Sequence, residues 1–198
     1  PDSHAVGFFA NGQLKRVDLS GGTPQALAPA SAGRGGTWNA DGVILFTPNS
    51  GGPLFRVPAA GGAPVAVTTL AGQNSHRGAS FLPDGRHFLF YAVGTPDTAG
   101  IFLGTLDAPD LHRLTAADTA GVYWASPSAS TAGWLLWVRG GTLVAQRLDV
   151  AGAALAGDPV TLADAVAVAA SVNAAAVSVS ASGLVAYRSG AGSQRQLT

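Results

Sequence analysis

Two aspartates, Asp41 and Asp84, each followed by a glycine (Gly42 and Gly85), stand in matching phrases of the chain. Paired carboxylates are the usual apparatus of acid–base hydrolysis, one giving a proton and the other taking one. Here each Asp-Gly pair separates two apolar runs. At such a place Asp bonds to its own turn backbone and Gly takes the positive φ of the turn. All four residues therefore read as structural, and the pairs predict tight two-residue hairpins. Other catalytic sets are missing from the sequence. No Gly-x-Ser-x-Gly elbow is present, and Gly33-Arg34-Gly35-Gly36 lacks the Lys and the following helix of a phosphate loop. His4, His87 and His112 have no partner at metal-ligand spacing, with Cys and Glu absent from the sequence. Asp107 and Asp110 flank Ala108-Pro109 without the alternating oxygen ligands of a calcium loop. No catalytic residue, metal or cofactor is assigned.

The elements around these turns repeat. Phe81-Leu82-Pro83-Asp84-Gly85, followed by the apolar His87–Tyr91, has a second copy in Trp38-Asn39-Ala40-Asp41-Gly42 and the run to Phe46. Weaker copies fall at Pro1-Asp2-Ser3, at Tyr123–Trp137 and at Val177–Tyr187. With Ser3, Gly42, Gly85, Gly133 and Gly183 taken as equivalent, the intervals are 39, 43, 48 and 50 residues. Periods of this size that hold several short strands are the mark of propeller blades. The expected fold is an all-β propeller of four-stranded blades. Residues 1–198 form one domain, with a partial blade at about 1–30, full blades at 31–70, 71–115 and 116–164, and a partial blade at 165–198.

The expected first strands are Gly36–Asn39, Gly78–Leu82, Val122–Ser126 and Ala175–Ser180. The second strands, Val43–Thr47, His87–Val93 and Trp134–Arg139, are apolar at consecutive positions. A strand covered on both faces reads this way, whereas a half-exposed one alternates. Asn11-Gly12 is the strongest short hairpin signal in the chain. Outer strands are expected at Leu54–Pro58, Val65–Leu70, Ile101–Leu106, Leu111–Leu114, Leu143–Leu148 and Val160–Leu162. A last one is expected at Gln194–Thr198. Helix competes only within the Ala-rich 151–176, where Gly157-Asp158-Pro159 breaks it and valines alternate, so strand is predicted. Trp38, Trp124, Trp134 and Trp137 lie in strand patterns and read as core.

Eleven Asp balance eleven basic residues for a net charge of zero, which favours neither nucleic acid nor an anionic membrane surface. The apolar 165–179 stretch is shorter than the roughly 20 residues of a membrane helix. Without Met, the chain reads as a processed product or an internal piece. An open arc of blades leaves sheet edges unpaired, so further chain is expected to close the ring.

Arg34, His76 and Arg77 precede innermost strands, positions that in propellers approach the central channel or its mouth, where such cations either contact a ligand or are simply solvated. Tyr123, in an innermost strand, and Asn173, ahead of another, complete a candidate binding set. The partner is a protein or small molecule of unknown identity.

The repeated phrase resembles the TolB-type, WD-repeat-like propeller, whose blades carry a Ser-Pro-Asp-Gly turn after the innermost strand. Ser126-Pro127-Ser128 and Ser180–Gly183 depart from it by lacking the Asp. Three phrases are more closely similar to the propeller that follows the kinase domain and membrane span of many bacterial serine/threonine protein kinases. They are Gly7–Asp18 (GFFANGQLKRVD), Arg34–Phe46 (RGGTWNADGVILF), and Ser75-His76-Arg77 with Phe81–Leu89 (FLPDGRHFL). The resemblance implies six blades when complete and a non-catalytic sensory or interaction module. It also implies an extracytoplasmic location, with the tether outside these residues. No kinase motif lies in this chain. A gating propeller of a prolyl-oligopeptidase-like hydrolase and a free periplasmic TolB-type scaffold are the alternatives.

Overall fold

The computed structural model describes residues 4–125 and 132–190. The first sheet orders β1 (Ala5–Ala10), β2 (Gln13–Asp18) and β3 (Gln25–Pro29). Three four-stranded antiparallel sheets follow, each in chain order. The second holds β4 (Gly36–Trp38), β5 (Val43–Phe46), β6 (Phe55–Pro58) and β7 (Val65–Ala66). The third holds β8 (Ser75–Phe81), β9 (His87–Val93), β10 (Gly100–Thr105) and β11 (Leu111–Thr115). The fourth holds β12 (Val122–Ala125), β13 (Ala132–Arg139), β14 (Thr142–Asp149) and β15 (Ala154–Ala163). Two short pairs complete the order: β16 (Val168–Ala169) with β17 (Ala174–Ala175), and β18 (Val177–Val179) with β19 (Val185–Tyr187). First strands touch across sheets, β4 against β8 and β12 against β18, so they form the inner edge of the array. Among the described residues this is an arc of propeller blades, three of them four-stranded and the flanking ones with fewer strands. Among the described residues there is no helix, and hence none long and apolar enough to cross a membrane.

Consecutive apolar residues in the second strands go to opposite faces. Ile44 and Phe46 pack on Leu14 and Leu27 of the first sheet, while Leu45 packs with Phe88 and Phe90 of the third. Leu89 and Tyr91 turn the other way, onto Leu135 and Trp137 of the fourth sheet. Leu136 and Val138 then face Val166, Val177 and Val185. Each four-stranded blade is thus the filling between two neighbours, as the continuous apolar runs require. Within the third sheet Gly104 of β10 stands opposite Phe88 of β9, and a Cβ there would lie 2.5 Å from the Phe88 ring. All four tryptophans pack on these cores, Trp137 fully buried and the others partly.

Several local expectations are revised. Asn11-Gly12 has positive φ at both residues (54° and 70°), as a two-residue type I′ turn demands. The Asp-Gly turns are built differently. Gly42 and Gly85 have φ of 78° and 69°, but Asp41 and Asp84 do not have positive φ. The N–H of Gly42 donates to Asn39 O (3.3 Å) and that of Gly85 to Leu82 O (3.0 Å). Each is a type I turn closed by a left-handed glycine, a longer hairpin than Asp-Gly alone implies. The fourth strand of the second sheet shortens to two residues. That of the fourth sheet lengthens to ten because a register shift absorbs Gly157-Asp158-Pro159. The turn at Ser126-Pro127-Ser128 and the strand expected at Gln194–Thr198 lie outside the described residues.

Candidate functional site

The inner strands present chemistry at both ends. At their starts, Arg34 and Arg77 occupy equivalent places, each seven residues ahead of its turn aspartate and each followed by a left-handed glycine (Gly35, φ 95°; Gly78, φ 61°). The glycines let the backbones close up. The N–H of Gly78 donates to Arg34 O at 3.3 Å, so the two arginines are neighbours across the blade boundary. A Cβ on Gly35 would meet the Gly78 Cα at 3.8 Å. The blade-to-blade loop supports this edge, with Gly52 N–H on Asn74 O (3.0 Å) and His76 N–H on Gly52 O (2.9 Å).

Arg77 is only 8% exposed. Its Nη1 donates to Asn173 Oδ1 (3.2 Å), its Nη2 to Ser50 O (2.8 Å), and its Nε to Ser75 Oγ (3.4 Å). One guanidinium thereby ties the second sheet's loop to the segment that follows the fourth sheet. Asn173, held in a left-handed conformation (φ 51°), is fixed there by Ala120 N–H on its own carbonyl (2.8 Å). Its Nδ2 also donates to Asp118 O (3.4 Å). Burial, and after it the charge of Arg34, pull the Arg77 guanidinium down from its ordinary value, with Tyr91 opposing. The Nε–H of Arg34 is buried and meets no acceptor.

Of the five candidate binding residues, the structure brings Arg34, Arg77 and Asn173 together. His76 adjoins them in sequence, but its side chain turns into the core and is 1% exposed. Its Nδ1 lies 2.8 Å from Thr68 Oγ1, its ring is 4.7 Å from that of Phe90, and its Nε2 has no partner. Desolvation pushes its pKa down from 6.5 to about 4. Tyr123 lies toward the opposite end of the inner strands. Its ring rests on Gly133, where any Cβ would strike it.

At that end a cavity of about 430 Å³ is lined by Thr37 to Asp41, Ser80 to Gly85, Tyr123 and Ala125. Asp84 caps its turn as its type predicts: Oδ1 accepts from the N–H groups of Arg86 and His87 (2.9 Å each), and Oδ2 meets His87 Nδ1. Burial pulls this carboxyl up, and its bonds to His87 and Arg86 more than offset it, leaving it below the ordinary value. In the other turn the cap is Asn39, not Asp41. Asn39 Oδ1 accepts from Val43 N–H (2.9 Å), while its Nδ2 reaches Gly85 O of the next blade (2.8 Å). Both turn aspartates line this cavity, and the bonds of Asp84 are those of a turn cap. Among the described residues no group of three or more His, Asp or Glu could hold a metal.

Sequence reasoning missed Ser50 and Asn39. Ser50 contributes a backbone carbonyl, which leaves no mark in the residue type. Asn39 stands where either a cap or a strand residue would fit.

These sheets, their order and their inner-edge turns define a TolB-like β-propeller fold. The chain is similar to the solved structure of TolB from Acinetobacter baumannii, at 20% identity and a TM-score of 0.58, over 91% of this chain and 44% of that one. It is also similar to that of a putative TolB from Agrobacterium tumefaciens, at 18% identity and a TM-score of 0.55, over 77% of this chain and 56% of that one. The chain thus spans about half the length of these structures. No protein-family model matches it, and no curated protein matches it in sequence.

Proposed function

We propose that this chain is a non-catalytic binding unit of a TolB-like propeller, taking a protein or small-molecule partner at the channel mouth around Arg34, Arg77 and Asn173. The observation that carries this is the arginine pair: two equivalent positions in adjacent blades supply cations to one edge, with no carboxylate against either among the described residues. Rigid strands holding loop-borne polar groups are the usual way a scaffold presents a binding surface. The outer face of β15 is exposed along most of its length, and Val160 and Leu162 stand in solvent. They line a cavity together with Val185 of the two-stranded β18–β19 sheet, which supports further strands as cover there; six blades in the complete ring is what the resemblance implies.

The unit belongs to the extracytoplasmic region of a membrane-anchored bacterial serine/threonine kinase, where occupancy of the mouth would alter association of the tethered kinase. The three phrases quoted above support this reading. A second reading, a free extracytoplasmic scaffold that binds other proteins, is favoured by the two TolB structures that share the fold. Reading the coding sequence on both sides separates them. Kinase motifs and an apolar span upstream are expected. A bare signal peptide would leave the scaffold, and a downstream Gly-x-Ser-x-Gly domain would make this the gating propeller of a hydrolase.

A further inference from the structure

Arg77 has an evident structural task. It clasps Ser50, Ser75 and Asn173, and those three acceptors are neutral. Arg34 has no such task, since its side chain makes no hydrogen bond among the described residues and its Nε–H is buried without an acceptor. A buried donor left unmade is costly, and more so when it belongs to a charged group. Packing a second guanidinium close to the first adds like-charge repulsion. Ion pairs do form elsewhere on the described surface, Arg16 with Asp18 and Arg56 with Asp107. Asp118, whose carbonyl meets Asn173, turns its own carboxylate to Gly140 N–H at 2.7 Å. The turn aspartates lie at the far ends of the inner strands, roughly 20 Å away at about 3.3 Å per residue. The mouth therefore carries a second cation, Arg34, that is matched by no bond or ion pair of its side chain among the described residues.

We propose that Arg34 and Arg77 form a subsite for an oxyanion, a carboxylate or phosphate group of the ligand taken at this mouth. Three of the five guanidinium N–H groups of Arg77 are engaged, leaving two, and the fork of Arg34 is free among the described residues. Planar forks of this kind match carboxylate and phosphate oxygens two at a time. Asn173, whose Oδ1 accepts from Arg77, holds that guanidinium in place. The subsite rests on the binding reading above and gives it a ligand chemistry.

The test titrates the full-length protein with inorganic phosphate and, separately, with an acetylated triglutamate peptide, each by isothermal calorimetry at low salt. At least one probe should bind, weaken as NaCl is raised, and lose tenfold or more in affinity in Arg34→Gln. Arg34→Lys should fall between, because a point charge replaces a fork. The probe that binds identifies phosphate or carboxylate as the group recognised. The Arg34 Nε–H resonance should also shift on titration of the wild type, a readout that does not depend on any variant folding. If neither probe binds, or if Arg34→Gln binds as well as wild type, the oxyanion subsite is wrong. A protein partner that still binds at this mouth in that case would leave the broader binding reading standing.

Discussion

Acidifying the protein should destabilise it through one residue, His76. The ring is 1% exposed, sits against Phe90, and offers one nitrogen to Thr68 Oγ1 while the other faces no partner. Protonation would place a second N–H, and a charge, in that apolar setting. The folded-state pKa of about 4 stands below the 6.5 of the free side chain. Between those values the unfolded chain holds a proton that the folded chain refuses, so stability rises with pH across the window. Conversely, it is lost as pH falls from about 6.5 to about 4, and the loss stops growing below that. At about 1.4 kcal/mol per unit, the depression is worth on the order of 3 kcal/mol. The assay is thermal or urea unfolding of wild type and His76→Gln from pH 7.5 to 4.5. The variant should be the less stable at neutral pH, because it disturbs a packed site, and the gap should close by roughly that amount on acidification. Parallel curves, or an NMR titration that puts His76 near 6.5, would refute the reasoning.

Three further outcomes follow from the packing. Leu45→Ala and Leu89→Ala, each emptying a filled inter-blade site, should cost about 2–5 kcal/mol in urea unfolding, whereas Leu184→Ala at a position 71% exposed should cost under about 0.5. Asn39→Ala removes the turn cap and the bond to Gly85 O together. It should cost about 1–3 kcal/mol, while Asp41→Ala, whose side chain caps nothing among the described residues, should change the same melt by under about 0.5. Gly133→Ala must displace the Tyr123 ring. It should lower stability by about 1–3 kcal/mol and change the near-ultraviolet tyrosine signal, whereas an unchanged spectrum would mean the ring does not rest there.

The architecture was legible because burial on both faces leaves a plain mark. Ile44-Leu45-Phe46 and Phe88-Leu89-Phe90 are continuous apolar runs, and the structure sends their alternate members to alternate neighbours. Turn chemistry was half legible. Asn11-Gly12 has the geometry its residues demand, whereas Asp-Gly is equally compatible with a two-residue turn and with a type I turn ending in a left-handed glycine. Strand ends were less readable still: β15 runs through Pro159 because a register shift removes the N–H obligation there. At the candidate site, a place ahead of an inner strand singled out Arg34 and Arg77, although β8 begins at Ser75 and so contains His76 and Arg77, and position alone could not tell an inward from an outward side chain. Hence His76 was grouped with its neighbour although it turns into the core. Tyr123 lies in an inner strand of its own, β12, and stands at the end of the array where the turn residues Asp41 and Asp84 lie. Ser50 and the carbonyl of Asp118 act through backbone, which no side-chain pattern reveals.

The central claim is that this chain is an arc of a larger propeller with an unneutralised arginine pair at its channel mouth. A structure of the full-length protein tests it most directly. It should show further strands beside the β18–β19 sheet and further chain covering β1, and the guanidiniums of Arg34 and Arg77 open to the channel without a protein carboxylate. A carboxylate from the remaining chain seated on Arg34, or a chain that leaves both edges uncovered, would contradict it.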